Sequence, residues 1–153
     1  GILYSVILER YYGYTAALME ADVPLNRRHI LIDNNMAAAG NGYEEVRTLL
    51  RLDTPPDSIF IASEMNLEGA YRAVRDAGLR VSDDIGIISH DNSVNCLRHL
   101  PQTTAVSYPA YESGYTAGEI LHDLMSGKQM TGVNVYIQHP VLVERDSCLG
   151  LKD

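Results

Sequence analysis

Three short apolar segments recur at an even spacing along the chain. They are HILIDN (29–34), SIFIAS (58–63) and IGIIS (85–89), and one segment with the 3.6-residue period of a helix separates each pair. This alternation is typical of βαβ units, whose strands are parallel. Strands that are apolar on both faces are typical of a sheet that helices cover on both sides. The sequence therefore predicts an α/β fold with a doubly wound parallel sheet.

The remaining elements are predicted from periodicity and from turn residues. The apolar run over residues 1–8 predicts a further strand, and the pattern that follows predicts a helix over about 9–22. Helices are also predicted around 43–50, around 67–77 with Gly78 as the stop, and from Pro109 at position N1 to Gly127. The segment 133–147 is predicted to be extended, and Pro140 favours an edge or a bend there.

Composition excludes several classes of protein. The 153 residues carry 12 Lys+Arg against 20 Asp+Glu, a net charge of −8, so the chain lacks the clustered cations that phosphate contacts require. No apolar run approaches the roughly 18 residues of a membrane span, and we expect no membrane partner. Two cysteines without disulfide or metal spacing favour a reducing compartment, and we expect a cytoplasmic protein.

Polar residues at the predicted strand ends are the candidates for ligand binding, because ligands bind beyond the carboxyl ends of strands in open parallel sheets. Asp91 follows the third apolar segment directly, and Arg10 lies near the predicted first turn of a helix. A guanidinium fork and a carboxylate together suit vicinal hydroxyl groups. Taken alone, Asp91 also fits a helix cap or a loop-stabilising role, and Arg10 also fits a solvated surface residue.

The sequence contains no motif for catalysis or for a cofactor. The glycines at 40–42 lack the third glycine of a dinucleotide fingerprint, and neither a nucleophile elbow nor a P-loop is present. His90 and Asp91 are adjacent, so we expect them to point to opposite sides, and they do not predict a metal site. We therefore expect a protein that is not an enzyme and that uses neither a cofactor nor a metal ion.

Three stretches of the sequence carry a family resemblance. They are ERYYGYTAAL (9–18), the long run from SIFIAS to TTAVSYP (58–109), and HPVLVERDS (139–147). Together they resemble the effector domain of the LacI/GalR family of bacterial transcription regulators, a periplasmic-binding-protein-like fold of type I. The chain departs from the family pattern where Ser63-Glu64 replaces Asn-Asp and where Ser89-His90-Asp91 replaces Gly-aromatic-Asp.

The resemblance implies roles for particular residues of this chain. Arg10 matches the arginine with which the family clamps its effector, and Asp91 matches the effector-binding aspartate. Ser63 stands where the family usually places an asparagine that contacts the ligand. The segment before Arg10 is shorter than in the family, which affects the expected geometry around that residue.

The resemblance also implies a domain organisation. Residues 1–103 correspond to the C-terminal lobe of the effector domain, 104–130 to an excursion into the N-terminal lobe, and 131–153 to the return. On this interpretation the chain is a fragment without the DNA-binding headpiece. We expect the helix of the excursion to be poorly packed or to lean on a partner chain.

The function implied by the resemblance is a sugar-responsive transcription regulator. Its partners would be a sugar effector, with galactose or a galactoside as one candidate, a second copy of the chain, and operator DNA through the headpiece alone. The expected dimer interface includes Glu68, Leu97 and His99. Two alternatives remain open: a sugar-binding protein of a transport system, which the LPQTT loop and the VERDS ending disfavour, and an enzyme.

Overall fold

Four strands form a sheet in chain order in the computed structural model, which describes residues 2–32, 42–128 and 138–148. The strands are β1 (Ser58–Ile61), β2 (Gly86–His90), β3 (Thr104–Ser107) and β4 (Val141–Val143). β1, β2 and β3 are parallel, and β4 pairs antiparallel with β3 as an edge strand. The predicted parallel sheet is confirmed, with one antiparallel strand added at its edge.

Four α-helices accompany the sheet. They are α1 (Ile2–Glu20), α2 (Tyr43–Leu50), α3 (Leu67–Asp76) and α4 (Ala110–Met125). The predicted helices around 43–50 and 67–77 are confirmed, and Gly78 follows α3 with the positive φ of +76° that ends a helix. None of the helices in the described part of the chain is both long and apolar enough to cross a bilayer.

The strand predicted over residues 1–8 is wrong, because α1 includes residues 2–8. No turn residue separates this apolar run from the helical pattern that follows. One continuous helix therefore satisfies the backbone groups of both segments without a neighbouring strand. The helix ends slightly earlier than predicted: Asp22 takes a left-handed φ of 54°, and the Val23 amide donates to the Leu18 carbonyl at 2.9 Å.

The strand predicted over residues 29–34 is also not formed where the structure describes it. A 3₁₀ turn, Arg27–His29, begins this segment, and the Asn26 side chain accepts a hydrogen bond from the Arg28 amide at 3.0 Å. The Ile30 amide then donates to the Arg27 carbonyl at 3.3 Å. These amides are used within a turn, so they are not available to a neighbouring strand. Residues 33 and 34 lie outside the described residues.

The core lies between the sheet and the layer formed by α2 and α3. Leu67, Ala70 and Val74 are buried on one face of α3, as the helical period predicts. They pack against Ile59 of β1 and Ile87 of β2, which point to the same side of the sheet. Among the described residues, this is the face of the sheet that helices cover.

The β3–α4 junction corrects one prediction and confirms another. Pro109 is the N-cap residue of α4 and not position N1, because the helix begins at Ala110. No residue of α4 is buried, which confirms the expected poor packing of this helix. The prediction of an edge near Pro140 is confirmed, since that residue directly precedes β4.

Candidate functional site

The carboxyl ends of β1 and β2 bring the predicted ligand residues to one rim of the sheet. Ile61 of β1 aligns with Ser89 of β2, so the chain leaves both strands at nearly the same level. Ala62 and Ser63 follow β1, and Asp91 follows β2. This is the edge at which ligands bind in open parallel sheets.

Arg10 joins the two strand ends. Its Nη1 donates a hydrogen bond to the carbonyl oxygen of Ala62, and its Nη2 lies 4.0 Å from Oδ2 of Asp91. The side chains of Arg10 and Asp91 are 22% and 42% exposed, so solvent screens the pair and it contributes at most about 1 kcal/mol to stability. Both side chains are therefore accessible to a ligand that forms hydrogen bonds with them.

The position of Arg10 within its helix differs from the prediction. It lies in the middle of α1 and not in a first helical turn. The partial positive charge of a helix N-terminus repels a cation only within the first turn, so it does not affect Arg10. Its hydrogen bond to Ala62 and its proximity to Asp91 account for its orientation instead.

The backbone of Asp91 is fixed in an uncommon conformation. Its φ is +68°, in the left-handed region that glycine, asparagine and aspartate enter most readily. The Asp91 amide donates to the carbonyl of Val106 at 3.0 Å, and its own carbonyl accepts from Sγ of Cys96 at 3.3 Å. Both backbone groups are thus satisfied within the protein, and the carboxylate extends from a fixed point.

His90 lies beside this carboxylate. Its Nδ1 is 3.0 Å from Oδ1 of Asp91, although the two are not aligned for a hydrogen bond and Nδ1 is buried without one. The expectation that His90 and Asp91 point to opposite sides is therefore wrong, because the left-handed turn at Asp91 interrupts the alternation of the strand. Among the described residues, no group of three or more His, Cys, Asp or Glu is arranged to hold a metal ion.

Ser63 is half-buried at the end of β1. Its carbonyl accepts a hydrogen bond from the Asn66 amide at 3.0 Å, which starts the 3₁₀ turn Glu64–Asn66. Its hydroxyl does not cap that turn. Ser63 follows Ala62, the residue that Arg10 contacts, so the three predicted ligand residues belong to one rim.

The sequence interpretation missed Arg145 and Ser147, which hydrogen-bond to the strands and the loop next to this rim. Arg145 donates from Nη2 to Oδ1 of Asn92 at 2.6 Å and from Nη1 to the Thr103 carbonyl at 2.7 Å. Ser147 is buried and bonds to both β2 and β3. The only signal for these residues in the sequence was the VERDS ending, which served as a family marker without a physical role.

Of the predicted interface residues, Leu97 and His99 lie in the 91–103 loop, and Glu68 lies at the start of α3. The His99 ring stacks on Tyr71 of α3, with centroids 4.2 Å apart, and its Nε2 lies 4.0 Å from Oε2 of Glu68. The His99 side chain is only 11% exposed, whereas Leu97 is 48% and Leu100 is 89% exposed. The loop therefore folds back through its histidine and presents its two leucines to solvent.

Burial shifts the pKa of both stacked rings. It lowers the pKa of His99 below its ordinary value, and the nearby Glu68 carboxylate opposes that shift only partly. Burial also raises the pKa of Tyr71 to about 12. The Tyr71 hydroxyl remains protonated and donates to the Pro101 carbonyl at 2.9 Å.

We expect the protein to lose stability as the pH falls below the ordinary histidine pKa of about 6.5. The folded protein holds His99 neutral, so the unfolded chain takes up its proton first and is stabilised relative to the fold. The loss should continue until the pH reaches the folded pKa. Urea denaturation at pH 7.5 and 5.5 checks this, with His99→Phe as the variant that keeps the stacked ring. An equal pH dependence in His99→Phe would assign the effect to other groups.

Residues 4–148 match the periplasmic binding protein-like domain family. The chain therefore belongs to that family. Its relatives within the family are transcription regulators of the LacI family.

Two curated relatives illustrate this relationship. The transcriptional regulator RegA of Clostridium saccharobutylicum is 28% identical over 92% of this chain and 42% of its own length. The transcriptional repressor PurR of Yersinia pestis bv. Antiqua is 30% identical over 90% of this chain and 40% of its own length. The chain thus spans about two fifths of the curated relatives that it matches.

Solved structures of the same family share the fold. The transcriptional regulator CelR in complex with cellobiose has a TM-score of 0.78 at 26% identity, over 92% of this chain and 42% of that one. The lac repressor dimer bound to operator and the anti-inducer ONPF has a TM-score of 0.60 at 25% identity, over 71% of this chain and 37% of that one. The resemblance to the effector domain of the LacI family is thereby confirmed.

Proposed function

We propose that this chain binds a sugar effector at the rim formed by Arg10, Ser63 and Asp91, within a regulator of transcription. The observation that carries the proposal is the approach of Arg10 to Asp91 across two strand ends, with Nη2 and Oδ2 4.0 Å apart. The pair offers donors and acceptors side by side, as vicinal hydroxyl groups require. The CelR complex with cellobiose supports a sugar as the ligand class, and galactose or a galactoside is one candidate.

The proposal extends to the domain organisation and to DNA. Residues 1–103 and 131–153 would belong to the C-terminal lobe and 104–130 to an excursion into an N-terminal lobe. Within that range β3 pairs with β2 in the sheet, so α4 is the part that would pack on the N-terminal lobe. The solvent-exposed α4 supports this division. Operator DNA would be bound through a headpiece outside this chain, in a cytoplasmic protein. The relatives described above are regulators, which favours this function over a transport binding protein and over an enzyme.

The effector site is tested by Arg10→Ala and Asp91→Asn. We expect one sugar of a panel of galactose, lactose, cellobiose and glucose 6-phosphate to raise the melting temperature of the regulator. Each variant should then weaken binding of that sugar roughly tenfold to a hundredfold, because a hydroxyl group of the bound sugar would be left without its hydrogen-bond partner. Isothermal titration calorimetry measures the dissociation constants.

Asp53→Asn, at an exposed position before β1, is the matched control for the loss of one carboxylate. It should leave the dissociation constant unchanged. Equal affinities in wild type, Arg10→Ala and Asp91→Asn would remove both residues from the site. A panel in which no sugar shifts the melting temperature would contradict the ligand class.

We also propose a two-fold dimer through Glu68, Leu97 and His99. Leu97 and Leu100 are exposed apolar side chains in the 91–103 loop, as is Val94, and such clusters mark interfaces. Since His99 is mostly covered by its own Tyr71, the leucines supply most of the apolar contact.

We expect Leu97→Asp to dissociate the dimer, because charges are depleted at interface cores. Sedimentation equilibrium measures the association constant, which should fall at least roughly tenfold, the equivalent of about 1.4 kcal/mol. Val23→Asp is the control, since Val23 is 49% exposed against 48% for Leu97. A dimer that persists in Leu97→Asp would exclude this loop from the interface.

A further inference from the structure

We propose that Arg145 is a positioning residue that couples the effector site to the dimer surface by holding both ends of the 91–103 loop. This inference rests on the proposed function, because it assigns the two ends of the loop to those two sites. Asp91 begins the loop at the rim, and Leu97 and Leu100 lie along its exposed part.

One guanidinium spans the two ends of the loop. Nη2 of Arg145 donates to Oδ1 of Asn92, the neighbour of Asp91, and Nη1 donates to the carbonyl of Thr103, where the loop enters β3. The two distances are 2.6 Å and 2.7 Å, as short as charge-assisted hydrogen bonds usually are. The planar fork of arginine can bind two such acceptors at once, and the single ammonium of lysine cannot reproduce that geometry.

The backbone of Arg145 is itself fixed to the sheet. Its amide donates to Oγ1 of Thr104 at 2.9 Å, and that hydroxyl lies 2.9 Å from the Arg145 carbonyl. The buried Ser147 adds a bond from the Thr104 amide to its hydroxyl at 2.8 Å. The backbone that carries the guanidinium is therefore held against β3. Because the same guanidinium bonds to both ends of the loop, it opposes movement of one end relative to the other.

The interior of the loop is connected to the same two ends. The Asp91 carbonyl accepts from Sγ of Cys96, and the Cys96 carbonyl accepts from the Thr103 amide at 2.9 Å. Leu97 follows Cys96 directly. A displacement of Asp91 by a bound effector would thus reach the exposed leucines through Cys96, with Arg145 fixing the frame.

Amide hydrogen exchange by NMR tests the coupling without an effector. The reporters are the Asp91 amide, bonded to the Val106 carbonyl, and the Thr103 amide, bonded to the Cys96 carbonyl. Arg145→Gln should speed exchange at both amides roughly tenfold to a hundredfold, because charge-assisted bonds are lost at both ends. The Gly86 amide, bonded to the Asp57 carbonyl, should be unchanged and shows that the sheet stays folded.

Two further variants keep the test decisive if Arg145→Gln proves unstable. Asn92→Ala removes the acceptor of Nη2 of Arg145 at one end of the loop. It should speed exchange of the Thr103 amide at the other end, because the Arg145 guanidinium bonds to both residues. Arg145→Lys should keep slow amide exchange at no more than one of the two reporters, Asp91 and Thr103. Arg98→Gln is the matched control, because Nη1 of Arg98 donates to Oδ1 of Asn95 inside the loop, and it should leave both reporters unchanged.

The outcomes separate this inference from the proposed function. Unchanged exchange at Thr103 in Asn92→Ala, or at either reporter in Arg145→Gln, would overturn the coupling. If exchange changes as expected, sedimentation equilibrium of Arg145→Gln should show weaker self-association. Faster exchange with unaltered self-association would retain the positioning role of Arg145 at Asp91 and reject its link to the dimer surface.

Discussion

Ser147→Ala should destabilise the protein by roughly 2–3 kcal/mol, since each buried polar group left without a partner costs about 1–3 kcal/mol. The Ser147 hydroxyl donates to the Ile87 carbonyl at 2.5 Å and accepts from the Thr104 amide at 2.8 Å. Alanine leaves that amide without its acceptor in a site closed to water. The Ile87 carbonyl keeps a weaker bond from Sγ of Cys148 at 3.3 Å, which limits the loss.

Urea denaturation measures this effect as a lower midpoint with an unchanged slope. Ser126→Ala is the matched control, because Ser126 lies exposed at the end of α4 and its loss should cost less than about 0.5 kcal/mol. A midpoint for Ser147→Ala equal to that of Ser126→Ala would show that water replaces the missing hydroxyl.

Leu67→Ala should cost roughly 2–5 kcal/mol, the usual range for deleting a buried leucine side chain. Leu67 is fully buried at the start of α3, where it packs in the core with Ile59 and Ile87. It also directly follows the 3₁₀ turn Glu64–Asn66, whose N-cap residue is Ser63. The substitution therefore leaves a cavity in the core between α3 and the sheet.

Leu121→Ala on α4 is the comparison for this prediction. Leu121 is largely exposed, so the same substitution should change the unfolding free energy by less than about 0.5 kcal/mol. Calorimetric or urea unfolding of both variants measures the difference. Equal costs at the two positions would contradict a core confined to the layer of α2 and α3.

The sequence was informative where a pattern and its tertiary environment agreed. β1, β2, α2 and α3 were predicted because an apolar run or a helical face in each meets the same core. Spacing alone also placed Asp91 at the end of its strand. The rule for strand ends also placed Arg10 at this rim, but on the wrong premise of a strand over residues 1–8, since Arg10 belongs to α1.

The errors arose where an apolar pattern does not determine the hydrogen-bond partners of the backbone. A run such as residues 2–8 is compatible with a strand or a helix, and the structure forms a helix there that continues to Glu20. The strand predicted from His29 onward is not formed where the structure describes it, because the chain there enters a turn in which the Asn26 side chain accepts a hydrogen bond from the Arg28 amide. The role of Arg145 was not predictable, because its two acceptors lie 53 and 42 residues away in the sequence.

The left-handed backbone of Asp91 restricts which residues evolution can place at the centre of the rim. Conformation admits glycine, asparagine and aspartate with little strain at a φ of +68°, while an ion pair with the Arg10 guanidinium requires an acid. Aspartate alone meets both requirements, since glutamate supplies the charge without the conformational tolerance. Drift at this position is therefore expected to pass through asparagine, which keeps the fold and loses the charge, so that the effector binding proposed above would be lost while the protein remains folded.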